Sequence, residues 1–166
     1  MNSASVIVGA MVISPLLYPV ICVGAATCQG DWRAFLRAVG TFTMGFLAAI
    51  AAAAAIDLLH ATTFQTELLD RLSASTTDYA VVAFFSGLAG TYAFFSPRIH
   101  EAITGIAISV ALIPPVVMLA IGLAERKADL IRASGTIVLC NVSGIYLGSI
   151  VAVAGLYWIS RDQTVD

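Results

Sequence analysis

Eight residues in this chain have the type and spacing to build a site inside apolar surroundings: Ser14, Pro15, Pro19, Ser86, Ser109, Pro114, Pro115 and Asn141. Serine before proline is the usual order at a helix start. The hydroxyl accepts an otherwise unpaired amide, and proline lacks the amide that would need a partner. Ser14-Pro15 can therefore begin a second half-helix, and another can restart near Pro114-Pro115. Two such starts facing one interior would present free amides and partial positive charge, which suits an anionic group. Continuous, kinked helices are the other reading, with neighbours satisfying the carbonyls that proline frees. Asn141 reads as a substrate contact or as an interhelical hydrogen bond, and Ser86 and Ser109 as ligands or as packing residues.

The remaining polar residues offer little else. No Ser-His-Asp set, carboxylate pair or glycine-rich phosphate loop stands out, so neither a catalytic residue nor a cofactor is expected. His60 and His100 have no partner set resembling a zinc site, so no metal is expected. Cys22, Cys28 and Cys140 form no CxxC and read as small buried hydrophobes. Asp57, Asp78 and Glu101 fall near span ends and read as interface residues, with a proton-coupling carboxylate as the sharper alternative. Eight basic and ten acidic residues, net charge -2, leave no basic stripe for nucleic acid.

The elements that must hold these residues follow from composition. With 60% hydrophobic and 11% charged residues in 166, the chain is too apolar for one soluble core that must also face water. An all-α, polytopic transmembrane bundle is expected, one membrane domain over residues 1–166, multi-pass in the cell membrane and in contact with lipid. Five spans are expected, at about 5–27, 38–59, 79–95, 99–124 and 135–158. The first and fourth are broken by prolines. The second is rich in Gly and Ala and is expected to pack against protein on more than one side. Residues 62–78, with Glu67 and Arg71 one turn apart, suit a short helix at the membrane surface. Met1 to Ser5 carries no Lys or Arg, so the start does not read as a signal peptide. Loop cations divide evenly, with Arg33, Arg37, Arg98 and Arg161 against Arg71, Arg126, Lys127 and Arg132, and leave orientation open.

The chain also matches itself. A shift of ninety-five residues lays Ile13-Ser14 on Ile108-Ser109, Leu17 on Leu112, Pro19 on Pro114, and Arg37-Ala38-x-Gly40-Thr41 on Arg132-Ala133-x-Gly135-Thr136. The copies, about 9–59 and 104–158, are displaced by three crossings, an odd number, so an inverted-topology repeat is expected. Paired proline-interrupted segments in such a repeat point to a transporter's central site.

Several motifs together resemble a known family: the run Asn2 to Leu16, NSASVIVGAMVISPL, then Ser86-Gly87-Leu88-Ala89-Gly90, then Gly105 to Pro115, GIAISVALIPP, and Asn141 before Gly144-Ile145. They are similar to domain-of-unknown-function family 389, the uncharacterised hydrophobic domain of prokaryotic membrane proteins, over about Asn2 to Ala154. The resemblance implies an integral membrane protein and lends no activity. Members usually carry a further helix before the Asn-Ser motif, where this chain begins. Either the chain is a short form, its start is assigned late, or a partner subunit fills the gap; a missing helix would leave an uncovered groove, which favours a homo-oligomer.

Two functions are expected. One is a small transporter or channel for a small solute or ion, with its site at the broken spans, where the helix starts suit an anionic group. The other is a membrane scaffold or assembly subunit acting through the small-residue faces of the second and third spans.

Overall fold

The computed structural model describes residues 16–60, 76–95 and 112–162. Its elements are α1 (Leu17–Gln29), α2 (Trp32–His60), α3 (Thr76–Phe95), α4 (Ile113–Glu125) and α5 (Ala128–Asp162). Three of them are long and apolar enough to cross a membrane, by the stretches Trp32–Ala55, Asp78–Phe95 and Ala128–Trp158. α1 and α4 have 13 residues each. At 1.5 Å per residue such a helix is about 20 Å long, short of the roughly 30 Å of a hydrocarbon core.

The short helices share one plan. Each is followed, two residues after it ends, by a long helix, and each ends on a left-handed residue. Gly30 has φ 68° and donates to the Thr27 carbonyl, while the Asp31 N–H reaches Ala26. Asp31 then caps α2: its Oδ1 accepts the amides of Arg33 and Ala34, both at 3.0 Å. At the second corner the left-handed residue is Arg126, φ 57°, and the Lys127 N–H donates to Gly122 at 2.9 Å. A side chain at such a φ costs about 1–2 kcal/mol that glycine avoids.

Both long helices begin earlier than the apolar pattern suggests. α2 starts at Trp32, and α5 at Ala128, so the charged connections shrink to a few residues. Hydropathy marks only what lies in hydrocarbon. Arg and Lys are good helix formers, and the helices continue through them into the headgroup region. The first part of the first and fourth spans, the surface helix with Glu67 and Arg71, and Glu101 and His100 lie outside the described residues. Asp78 is exposed in the first turn of α3, as an interface residue should be.

All five helices contribute to one core: Leu16, Leu17, Val20 and Ile21 meet Ala83, Leu112 and Ile145, with Phe42, Phe46, Val142 and Tyr146 packed around them. A second cluster, Met118, Ile121 and Leu130, fills the corner between α4 and α5. The closest seam is α3 on α5. A Cβ on Gly87 would strike the backbone of Ile145, one on Gly148 the backbone of Phe84, and one on Gly144 would lie 2.8 Å from the Ala80 carbonyl. As α3 advances from Ala80 to Leu88, its neighbours on α5 advance from Gly144 to Gly148, so the two helices run parallel. Glycine lets the backbones touch, and dispersion between them replaces the hydrophobic drive that lipid cannot supply.

α2 differs from expectation. Gly40, Ala48, Ala51, Ala52 and Ala55 are exposed, and only 11% of its span is buried, against 44% for α5. Small residues allow close approach but do not compel it, and among the described residues α2 is covered on one side alone.

Adding one methyl separates the two kinds of glycine. Gly148→Ala and Gly87→Ala should each lower unfolding free energy in detergent by about 1–3 kcal/mol through overpacking. Gly40→Ala and Gly155→Ala, which meet nothing within 4 Å, should be neutral or stabilising by up to about 1 kcal/mol. Equal effects in reversible unfolding would remove the backbone seam from this account.

Candidate functional site

The site is the place where α1 and α4 begin. Their N-cap residues, Leu16 and Leu112, are 2% and 3% exposed and belong to the same core cluster. Each lies beside the middle of a long helix. Leu16 Cδ2 is 3.2 Å from where a Cβ on Gly45 of α2 would sit. On the other side, Gly122 faces Ile131 and Gly135 faces Leu119. Continuing that antiparallel register along α4 brings Leu112 level with Asn141 and Val142 of α5.

A helix start leaves its first four amides without partners in the helix. In water this is harmless, but in an apolar core each unpaired amide costs several kcal/mol. Leucine at both N-caps supplies no side-chain acceptor. The prolines answer part of the problem. Pro19 stands in the first turn of α1, and Pro114 and Pro115 in the first turn of α4, so three of the eight amides do not exist. The amides left are those of Leu16, Leu17, Tyr18, Leu112 and Ile113. The first internal bond of α4 runs from the Val116 N–H to the Leu112 carbonyl at 3.2 Å.

Of the residues singled out from sequence, Pro19 and Pro115 are buried and Pro114 is half-buried, all at helix starts. Asn141 is 4% exposed and level with the start of α4. Ser86 is buried beside Gly87, whose neighbour on α5 is Ile145, one turn from Asn141. Ser14, Pro15 and Ser109 lie outside the described residues.

Other polar groups went unnoticed in the sequence. Ser149 of α5 is fully buried and donates to the Ile21 carbonyl of α1 at 3.1 Å, where Gly24 leaves room for it. Nearby, the Tyr146 hydroxyl donates to Thr27 Oγ1 at 3.3 Å. Ser134 turns back on the Leu130 carbonyl. Thr91 is fully buried, and its Oγ1 alone among the described buried side-chain atoms has no hydrogen-bond partner. Nothing in the sequence paired Gly24 with Ser149, so the α1–α5 crossing had no signal there. The cysteines also depart from expectation: Cys28 is exposed, while Cys22 and Cys140 are half-buried free thiols. Cys28 stands in the last turn of α1, where its thiol donates to the Ile150 carbonyl of α5 at 3.8 Å.

Three long apolar helices around two short ones define the class, an all-helical bundle compatible with an integral membrane protein. Its sequence matches the family model described as Domain of unknown function (DUF389) over residues 11–147, and the chain belongs to that family. No curated protein and no solved structure matches it.

The buried hydroxyls give opposite expectations. Thr91→Val removes an unpaired polar atom without changing volume and should stabilise the fold by about 1–3 kcal/mol. Ser149→Ala breaks a made bond and should cost about 0.6 kcal/mol, the average for such bonds between membrane helices. A destabilising Thr91→Val in detergent unfolding would show that its hydroxyl is satisfied.

Proposed function

We propose that the chain is a small multi-pass transporter or channel of the cell membrane, with its central site where α1 and α4 begin. One observation carries the reading: two helices too short to cross start from buried residues in a shared core, halfway along two long helices. Irregular backbone at that depth is tolerated where it is buried in protein or lines a path. The repeated plan of short helix, left-handed corner and long helix supports an inverted pair of units, displaced by three crossings.

The chemistry of the junction narrows the solute. Both short helices direct their positive ends there, which favours negative charge. The prolines leave few donors, and no Lys or Arg lies between Ala38 and Leu59, Tyr79 and Phe95, or Leu112 and Glu125. A multiply charged anion would be poorly compensated. A small solute with at most one negative charge fits, held by the remaining amides, by the Asn141 amide group, and by Ser86. Ser14, Pro15 and Ser109 belong to the same site in this reading.

A second reading has one observation of its own. The exposed Gly and Ala face of α2 would suit close packing against a second copy or a partner subunit, making the chain a scaffold. The corresponding face of α3 is no longer free for this role, because Gly87 already meets α5.

Uptake into liposomes, screened over halides, other monovalent anions and small neutral metabolites, tests the first reading. At least one solute should enter faster than through protein-free vesicles. Asn141→Leu should slow that entry tenfold or more while elution in detergent is unchanged. No uptake across the panel, together with a stable complex lost on Ala52→Leu, would favour the scaffold.

A further inference from the structure

The two long helices that wall the junction are held very differently. α5 is fastened on two sides. Its glycines meet the backbone of α3, and its Ser149 and Tyr146 hydroxyls are bonded to Ile21 and Thr27 of α1. Directional bonds and touching backbones fix one register, because any shift breaks several contacts at once.

α2 has neither kind of restraint among the described residues. The hydroxyls in its middle, Thr41 and Thr43, turn back on their own helix, to Arg37 at 3.0 Å and Val39 at 2.9 Å. Its neighbour α4 carries no polar side chain from Ile113 to Ala124. Contact with α1 is apolar, through Leu16 over Gly45 and through Phe42 and Phe46. Such contacts are non-directional and re-form after a slide.

Backbone bonds close both corners, from Gly30 and Asp31 to Thr27 and Ala26 and from Lys127 to Gly122, and the two differ in how tightly they are packed. Where α4 turns into α5 the chain is packed: a Cβ on Gly122 would lie 3.1 Å from Ile131 Cγ1 and 3.2 Å from its backbone nitrogen. At the α1–α2 corner, Gly30 has φ 68° and nothing within 4 Å of a Cβ position. A glycine with free space around it can absorb backbone rotation, while the Asp31 cap keeps α2 helical from its first turn.

We infer that α2 is a hinged wall: it swings about Gly30 against a fixed frame of α1, α3 and α5, and so opens and closes the junction at Leu16 and Leu112. The motion deepens the transport reading, and it rests on that reading only for what passes through the opening.

Nitroxide distances in lipid nanodiscs test the motion without any solute. In a chain with Cys22, Cys28 and Cys140 replaced by Ala, the pair Met44→Cys and Leu147→Cys reports α2 against α5. The pair Val82→Cys and Leu139→Cys reports α3 against α5. All four positions are exposed, from 51% at Val82 to 74% at Met44. The α2–α5 distribution should be at least twice as wide as the α3–α5 one, or show two peaks; equal widths overturn the inference. A disulfide between Leu16→Cys and Gly45→Cys should narrow the first distribution and leave the second unchanged, whereas an unaltered width would also overturn it. Where the wild-type chain takes up a solute, the same disulfide should block entry until reduced. A wide α2–α5 distribution in a chain that moves no solute would keep the hinge and remove the transport reading instead.

Discussion

Backbone hydrogen bonding at the start of a helix is the constraint on which this structure turns. A helix that crosses a bilayer end to end puts its unpaired groups in the headgroups, where water serves them. α1 and α4 do not have that option, because they begin among Leu16, Leu17, Leu112 and Ile145. Proline in the first turn is the economical answer: it deletes donors that would otherwise need a partner, and its fixed φ already suits a helix. The same three prolines would be disruptive a turn later. Their position at the helix starts, rather than inside the helices, explains why so short an apolar chain tolerates them.

From this follows the rest of the packing. A short helix cannot carry its own weight in lipid, so each is bound to a long one through a corner of two residues, Gly30-Asp31 or Arg126-Lys127. The left-handed residue reverses the chain, and the bonds to Ala26, Thr27 and Gly122 close the carbonyls that the helix end exposes. With two such pairs formed, α3 supplies a further layer, chiefly on α5, where Gly144 and Gly148 admit it, and it meets α1 through Phe94 and Tyr18.

Much of this was legible in the sequence, for reasons that differ by element. The helical class followed from composition, and Pro19 and Pro114 falling into one register pointed to paired irregularities, as breaks or as kinks. Burial of Asn141 and Ser86 followed from their place in apolar spans. The reach of α2 and α5 through charged residues did not, since hydropathy is blind to a helix once it leaves hydrocarbon. Nor could the fate of small residues be read. Gly87, Gly144 and Gly148 accept another backbone, whereas Gly40 and the alanines of α2 stand exposed. A small side chain states what is permitted, and only the neighbour decides whether the permission is used. Ser149 was hidden for a similar reason, because its acceptor, the Ile21 carbonyl, belongs to every residue alike.

The two pairs of short and long helix also differ from each other in an informative way. Leu16 lies against Gly45, and Leu112 lies level with Asn141, so one glycine and one asparagine occupy corresponding places beside the two helix starts. Glycine there lets α2 approach α1 closely and offers no polar group. Asparagine carries a donor and an acceptor, and burial gives such a group a high electrostatic value. Polar side-chain chemistry thus enters from the α5 wall, the one that α3 and the Ser149 and Tyr146 bonds hold in place. The opposite wall, α2, meets its neighbours through apolar contacts among the described residues, Leu16 over Gly45 and the rings of Phe42 and Phe46.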